Sequence, residues 1–294
     1  MKVINFGSIN IDHVYEVAHF ARPGETLRSD SYSIFSGGKG SNQSLSLARA
    51  GAKVFHAGKI GDDGRWLNKN LEESGVDTSL IEITDTPTGH ALIQVNRQGE
   101  NAIIIHGGAN ETVADDDIKR VLAKAEQGDC LLVQNEINSV DKIIQQAKEK
   151  GLLIVFNPAP MNESVKDYPL DLVDIFIINE VEGEALTQQS DPETIVAYML
   201  RLYPQSKTVL TLGREGLIYG DDKKVISIPA LRVEVVDTTG AGDTFVGYFL
   251  AELISGSTIE QCLQMGIKAS ALCVTRKGAG DSIPLRKEVE GFNG

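Results

Sequence analysis

The run Asp237-Thr-Thr-Gly-Ala-Gly-Asp243 ends in a carboxylate at the start of an apolar stretch that reads as a helix. Gly240, Ala241 and Gly242 would present backbone N–H groups at that helix N-terminus, where the macrodipole also favours an anion. Negative charge can be stabilised there without basic side chains. Asp243, in the same first turn, is near enough to take a proton from a hydroxyl attacking a phosphate held by those amides. The bland alternative is a capped helix in which Asp243 only serves the dipole. A dinucleotide fingerprint is a poor match, because the third glycine, Gly247, comes late.

Four other segments carry candidate chemistry. Asn10 and Asp12 follow the short apolar run Val3–Phe6, beyond the carboxyl end of an expected strand, where open α/β sheets meet their ligands. A solvated turn would contain the same residues. Gly37-Gly-Lys-Gly-Ser-Asn42 precedes an Ala/Leu-rich helix expected over Gln43 to Ala50, with Gly51 as its stop. Its glycines admit close backbone approach, as they would in a plain turn. It is not a Walker A loop, since Lys39 is followed by Gly40 rather than Ser or Thr. Asn179 and Glu182 place an amide and a carboxylate three apart at a helix start, which suits either a hydrated Mg²⁺ or a capping pair. Thr211, Gly213 and Gly216 follow a strand-like run and would border a nucleotide. The five histidines show no metal spacing and no G-x-S-x-G occurs, so zinc and serine-hydrolase chemistry lack support.

The elements that must position these residues alternate from about residue 112 onward, which argues for βαβ units and a parallel sheet. Strands are expected at 130–134, 152–156, 175–178, 208–212 and 231–236, with a hairpin over 213–220. Ser139 is placed to cap a helix over 140–150, and Asp191-Pro192 to open one over 193–202. Helices over 242–254 and 258–275 close the chain. The strands are continuously apolar rather than alternating, so helices should cover both faces of the sheet. Segments 13–35 and 86–106 are β-rich without an intervening helix, and the polar turn Arg97-Gln-Gly-Glu100 marks a hairpin. They are expected to form a small sheet over the strand ends, a lid inserted in one domain spanning residues 1–294.

The 294 residues include 41 acidic and 28 basic side chains, a net charge of −13. That balance argues against a sequence-independent nucleic-acid binder, which draws its affinity from Lys and Arg on phosphates. Cys130, Cys262 and Cys273 form no C-x-x-C pair and lie in apolar stretches, as buried thiols in a reducing compartment would. No run approaches the roughly 18 apolar residues of a membrane span. A cytoplasmic protein without a membrane partner is the expectation.

Gly37-Gly-Lys-Gly-Ser-Asn42, Asn157-Pro-Ala-Pro160, Asn179-x-x-Glu182, Asp237-Thr-Thr-Gly-Ala-Gly-Asp243 and Thr275-Arg-Lys-Gly-Ala-Gly-Asp-Ser282 occur in the order of the ribokinase family, the phosphofructokinase B carbohydrate kinases. The chain resembles that family over nearly its whole length. Through Gly7-Ser-Ile-Asn-Ile-Asp12, Gln134-x-Glu136 and Asn157-Pro-Ala-Pro160 it is most similar to the ribose-phosphorylating members. The resemblance implies a three-layer α/β/α fold with a β lid, and ATP-dependent phosphorylation of a sugar's primary hydroxyl. It makes Asp243 the base and Gly240, Ala241 and Gly242 the anion hole. Asn10, Asp12, Gly38, Lys39, Asn42 and Glu136 would hold the sugar. Asn179 and Glu182 would serve the Mg²⁺ and phosphates, while Thr211, Gly213 and Gly216 lie along the nucleotide. A monovalent cation, K⁺, would sit by Asp237, Thr239, Gly278 and Ser282. The family lid can also pair two subunits, so a homodimer is implied. The Gly-Ala-Gly form of the loop is common across the family, which leaves another furanose, a fructose-type sugar or a nucleoside open as substrate. A sugar or nucleotide sensor without turnover is the non-enzymatic alternative.

Overall fold

Strands apolar at every position can be buried only between two helical layers, and the computed structural model, which describes residues 1–292, has that arrangement. In chain order the strands are Val3–Phe6 (β1), Asn10–Glu16 (β2), Ser31–Gly37 (β3), Val54–Gly61 (β4), Asp77–Thr84 (β5), Gly89–Val95 (β6), Asn101–His106 (β7), Cys130–Gln134 (β8), Leu153–Asn157 (β9), Ile175–Asn179 (β10), Lys207–Thr211 (β11), Leu217–Gly220 (β12) and Val225–Ile228 (β13). The helices are Lys39–Arg49 (α1), Arg65–Glu73 (α2), Asp115–Leu122 (α3), Val140–Glu149 (α4), Glu180–Thr187 (α5), Pro192–Leu202 (α6), Ala241–Ser255 (α7), Ile259–Cys273 (α8) and Arg286–Gly291 (α9).

Nine strands form the main sheet in the order β13-β12-β11-β10-β9-β8-β1-β4-β5, parallel from β5 to β11 and antiparallel for the last two. Successive residues of one strand feed opposite cores. Val3, Leu132, Ile177 and Val209 join α1, α7 and α8, whereas Ile4, Val133, Ile178 and Leu210 join α3, α4 and α6. The sheet order turns at β1, which has β8 on one side and β4 on the other. A crevice at the strands' carboxyl ends is therefore expected beside β1 and β8.

The small sheet runs β3-β2-β6-β7. Its register places Asp12 opposite Phe35 and Ala91, and Ala91 opposite Ile105, on one face. His13, Ile34, Leu92 and Ile104 occupy the other. Both faces are rich in apolar residues, which is why Ile103-Ile-Ile105 shows no alternation. The sheet extends beyond the expected segments at Asn10 and at Gly37 and ends at His106 as expected, and residues 17–30 form an irregular connection.

Several local expectations are corrected. Leu231–Val236 is not a strand. It has the right residues but pairs with no strand, and Val236 and Asp237 donate their N–H groups to Val274 O instead. Ser139 does not cap α4 with its side chain; it stands in the left-handed region (φ 59°) with its hydroxyl directed to Val113 O. Helix α1 begins at Lys39, so Lys39 and Asn42 belong to its first turn rather than to a loop. Asn10 and Asp12 lie in β2, not in a turn. Strands β4 and β5 and helix α2 were not anticipated. Cys130, Cys262 and Cys273 are buried free thiols. No helix among the described residues is long and apolar enough to cross a membrane.

Candidate active site

The late glycine of the Asp237–Gly247 segment has a packing reason. A Cβ at Gly247 would collide with the Ser46 side chain and the Leu47 backbone, so α7 can cross α1 closely only with glycine there. Ser46 Oγ donates to Thr244 O (3.0 Å) across the same crossing. The crossing brings the first turns of α1 and α7 together. Asn42 Nδ2 donates to Asp243 Oδ2 (3.1 Å) and Gln43 Nε2 to Asp243 Oδ1 (2.9 Å), so both oxygens of this buried carboxylate are oriented by amides. Gly240 precedes the helix with φ 76°, a conformation that favours glycine. Ala241 N–H donates to Thr238 O (3.3 Å) and Thr244 N–H to Gly240 O (2.8 Å). Gly242 and Asp243 N–H have no protein acceptor among the described residues. Of the three proposed anion-hole amides, the one at Ala241 is thus partly turned into the preceding loop.

Towards the small sheet, Glu136 follows β8 and is held by Ser8 Oγ (2.6 Å) and the Lys39 N–H (3.0 Å). Burial pushes its carboxyl up, with Asp243 adding to the shift against Lys39 and Ser8. Lys39 is raised by the carboxylate of Asp243, then by Glu136 and Glu182, in opposition to burial. It remains an ammonium among three acids. Gly38 precedes α1 with φ 93° and its Cβ position would crowd the Ile9–Asn10 backbone. Asn10 Oδ1 accepts from Asn110 Nδ2 (2.7 Å), which ties it to the turn after β7. Gly37 faces Asp12 so closely that a Cβ would overlap the carboxyl group.

Burial, with the Glu136 charge second, pushes the Asp12 carboxyl up to about 7. A group raised in the folded state stabilises the fold below its unfolded pKa and loses that contribution as pH rises through the folded value. Asp12 therefore costs the ligand-free protein most above pH 7. Asp12→Asn is expected to raise the melting temperature at pH 8 by about 3 °C or more, with the gain shrinking towards pH 5. Thermal melts of both proteins at the two pH values check this, and an equal difference at both would refute it.

On the opposite side, Asn179 and Glu182 close a capping box at the start of α5. Asn179 Oδ1 accepts from Glu182 N (2.9 Å), while Glu182 Oε2 accepts from Asn179 N (2.9 Å) and Oε1 from Asn179 Nδ2 (2.9 Å). The capping alternative is realised, and a hydrated Mg²⁺ would use the lone pairs that remain. Glu182 is raised by burial. A cavity of about 70 Å³ lies between Lys39, Asn157, Asn179, Glu182, Thr211, Gly242 and Asp243. A Cβ at Gly242 would meet no protein atom, so this glycine borders open space, which fits a phosphate approaching the free N–H groups. Thr211 Oγ1 donates to Ile178 O (3.2 Å). Gly213 (φ 54°) and Gly216 (φ 106°) flank the turn into β12, and a Cβ at Gly216 would strike Ile228 O.

Asp237 joins two loops. Its Oδ1 accepts from Thr239 N (2.9 Å) and Thr239 Oγ1 (2.7 Å), and its Oδ2 from Gly278 N (2.9 Å). Burial opposes ionisation, yet the N–H groups of Thr239 and Gly278 hold this carboxyl below its usual range. The buried Ser282 hydroxyl donates to Ala279 O (2.7 Å) and lies 3.1 Å from Cys273 Sγ, which in turn approaches Thr239 O (3.9 Å). The Asp237 carboxylate and the carbonyls of Thr239 and Ala279, which face Cys273 and Ser282, are the oxygen groups a monovalent cation would have to draw on here.

The structure gathers Asp243, Lys39, Asn42, Glu136 and Glu182 round the start of α7. It does not place the Asn42 amide on Asp12 or Glu136, because Asp243 engages it. Sequence reasoning missed Gln43, Asn157, Gln134 and Asn5 as contributors, although polar side chains inside apolar strands, Asn5 in Val-Ile-Asn-Phe above all, were a signal. A larger cavity of about 320 Å³ lies away from the Asp243 carboxylate, between Phe35, Arg49, Asn70 and Ala279–Asp281, and touches the site only at Asn42.

The sequence and the fold resemble those of known proteins. The sequence profile described as pfkB family carbohydrate kinase matches residues 1–286. The chain is similar to a ribokinase of Haemophilus influenzae, 38% identical over 97% of this chain and 96% of that protein. A crystal structure of a Cryptococcus neoformans ribokinase in complex with ADP superposes with a TM-score of 0.89 at 34% identity, covering 99% of this chain and 98% of the other. An Arabidopsis thaliana ribokinase complexed with ribose and ATP gives 0.88 at 30% identity, with 99% and 97% covered. With a full-length profile match, extensive identity and a shared fold, the chain belongs to the pfkB family of carbohydrate kinases.

Proposed function

We propose that the protein transfers the γ-phosphoryl group of ATP to the primary hydroxyl of D-ribose, giving ribose 5-phosphate and ADP. The observation that supports this best is the Asp243 carboxylate, fixed by two amides beside the unpartnered N–H groups of α7. Asp243 takes the proton of the attacking hydroxyl as the new O–P bond forms and the bond to ADP breaks. Gly240, Ala241 and Gly242 line the place where charge develops, and the free N–H at Gly242 is preorganised for it. Lys39 balances the acids around that point. Asp12 and Glu136 accept hydrogen bonds from the ring hydroxyls, with Gly38 allowing close approach and Asn10 bracing β2. Thr211, Gly213 and Gly216 border the nucleotide. Mg²⁺, when bound, supplies charge neutralisation on the phosphates; Asn179 and Glu182 are the residues that would hold it through water. The similarity to ribokinases bound to ribose, ATP and ADP supports both substrates.

A coupled ADP-release assay across pentoses, hexoses, fructose 6-phosphate and nucleosides tests the assignment. Ribose is expected to lead. Buried groups that bond a hydroxyl are left unpaired by an analogue lacking it, so kcat/KM for 2-deoxyribose should be at least about tenfold lower, taking ~1.4 kcal/mol for one lost charged hydrogen bond. A faster nucleoside or fructose 6-phosphate would overturn ribose while leaving the kinase, and no turnover at all would favour a sensor.

K⁺ at Asp237, Thr239, Gly278 and Ser282 would order the loop that leads into Gly240–Gly242. Rates in potassium are expected to exceed those in a bulky organic cation at equal ionic strength severalfold. Equal rates would remove the cation from the mechanism. The exposed outer face of the small sheet, with Tyr32 48%, Ile34 50%, Leu92 41% and Ile104 65% accessible, supports pairing of two subunits through it.

A further inference from the structure

Behind Asp243 lies a buried polar chain that the proposed mechanism leaves unused. Gln43 Nε2 donates to Asp243 Oδ1 and to Asn157 Oδ1 (3.0 Å), and Gln43 Oε1 accepts from Gln134 Nε2 (2.7 Å). Gln134 Nε2 also donates to Asn5 Oδ1 (2.9 Å), and Asn5 Nδ2 to Gly40 O (2.7 Å) and Ser44 Oγ (2.8 Å). Ser44 Oγ meets His56 Nδ1 (2.8 Å), and His56 Nε2 meets Gly7 O (3.2 Å). Asn5, Gln43, Ser44, His56 and Gln134 are all fully inaccessible to solvent.

A side-chain amide presents a donor on one edge and an acceptor on the other, so each member has two orientations in isolation. Here the ends decide. A backbone carbonyl only accepts, so Gly40 O fixes Asn5 with its NH₂ outward and its oxygen towards Gln134. Ile177 O does the same for Asn157, whose Nδ2 donates to it (2.9 Å), leaving Asn157 Oδ1 to face Gln43. Gly7 O requires the proton of His56 on Nε2, so Nδ1 accepts from Ser44; burial pushes His56 down to about 4 and keeps it neutral. Every link then has a fixed direction, diverging from Gln134, and Gln43 must show N–H rather than C=O to Asp243. One cost is visible: Gln134 Oε1 is buried with no partner. Such an orphan calls for an explanation, and serving two acceptors with Nε2 provides it.

We propose that Gln43 and Gln134 are positioning residues for Asp243, forming a polarised amide chain that keeps a hydrogen-bond donor on the inner oxygen of that carboxylate. The proposal rests on Asp243 being the base. Gln43 acts directly on the carboxylate, whereas Gln134 reaches it only through Gln43.

The test is a double-mutant cycle with near-isosteric methionine, read as kcat and as the KM for ribose and for ATP. Gln43→Met is expected to lower kcat about tenfold, as loss of a charged hydrogen bond would, with both KM values within about twofold. Gln134→Met is expected to lower kcat about threefold, and the double variant to match Gln43→Met alone. Losses that multiply, or a change in KM with kcat unchanged, would overturn the proposal. If the variants fail to fold, the unmodified protein still decides. The Gln43 side-chain NH₂ proton facing Asp243, identified by its shift in Asp243→Asn, is expected to be protected from hydrogen exchange, and exchange at solvent rates refutes the chain. Retained turnover in Asp243→Asn would instead remove the base assignment itself, so the two failures are distinct.

Discussion

Asp243→Asn is expected to lower turnover by about 10²-fold or more while ATP binding stays nearly intact, because a positioned general base contributes roughly 10²–10⁴. The substitution preserves shape and removes the charge of the group proposed to accept the proton. It also faces one of the amide donors of Asn42 and Gln43 with an NH₂ group, which disturbs a carboxylate environment that now satisfies both oxygens. The free N–H at Gly242 and the cavity beside it are untouched, so calorimetric titration with ATP should change by less than a few-fold. Turnover within about threefold of the unmodified protein would take Asp243 out of the base role.

Gly37→Ala is expected to raise the KM for ribose by about 100-fold or more and to leave ATP affinity unchanged. The added Cβ would occupy the position of the Asp12 carboxyl group, so Asp12 must leave its present position. In the proposed role Asp12 would bond two sugar hydroxyls as a carboxylate, and each charged hydrogen bond lost costs ~1.5–3 kcal/mol, hence roughly 10²-fold or more in total. Gly37 is not in the left-handed region, so alanine is tolerated by the backbone itself. Sugar KM, ATP affinity and a thermal melt on the same preparation separate the outcomes. An unchanged KM in a folded protein would show that Asp12 does not hold the sugar.

The chemistry carried by local sequence was legible. Asp243 in the first turn of α7, Gly240 at its left-handed cap and Asn179 with Glu182 at the start of α5 all follow from spacing, since a helix start fixes which N–H groups are free. The continuously apolar runs of β8, β9 and β10 announced a sheet covered on both faces, because no other arrangement hides every residue of a strand. The segment 231–236 shows the limit: its residues read as a strand, but a strand exists only where a neighbour completes its ladder.

What only the tertiary structure decided are the contacts between residues distant in the chain. Gln43 and Asp243 are 200 residues apart, and they meet because Gly247 allows α7 to cross α1 closely. Gly37 looked like part of a glycine turn, and its need for glycine is set by Asp12 on the adjacent strand. The direction of the amides behind Asp243 comes from the carbonyls of Gly40 and Ile177, which no local pattern reveals. Sequence by itself determines backbone preference, burial periodicity and which side chains hold chemical groups. Which of those groups face one another, and which way round, is determined by packing, because hydrogen-bond partners and close approaches are properties of pairs of segments.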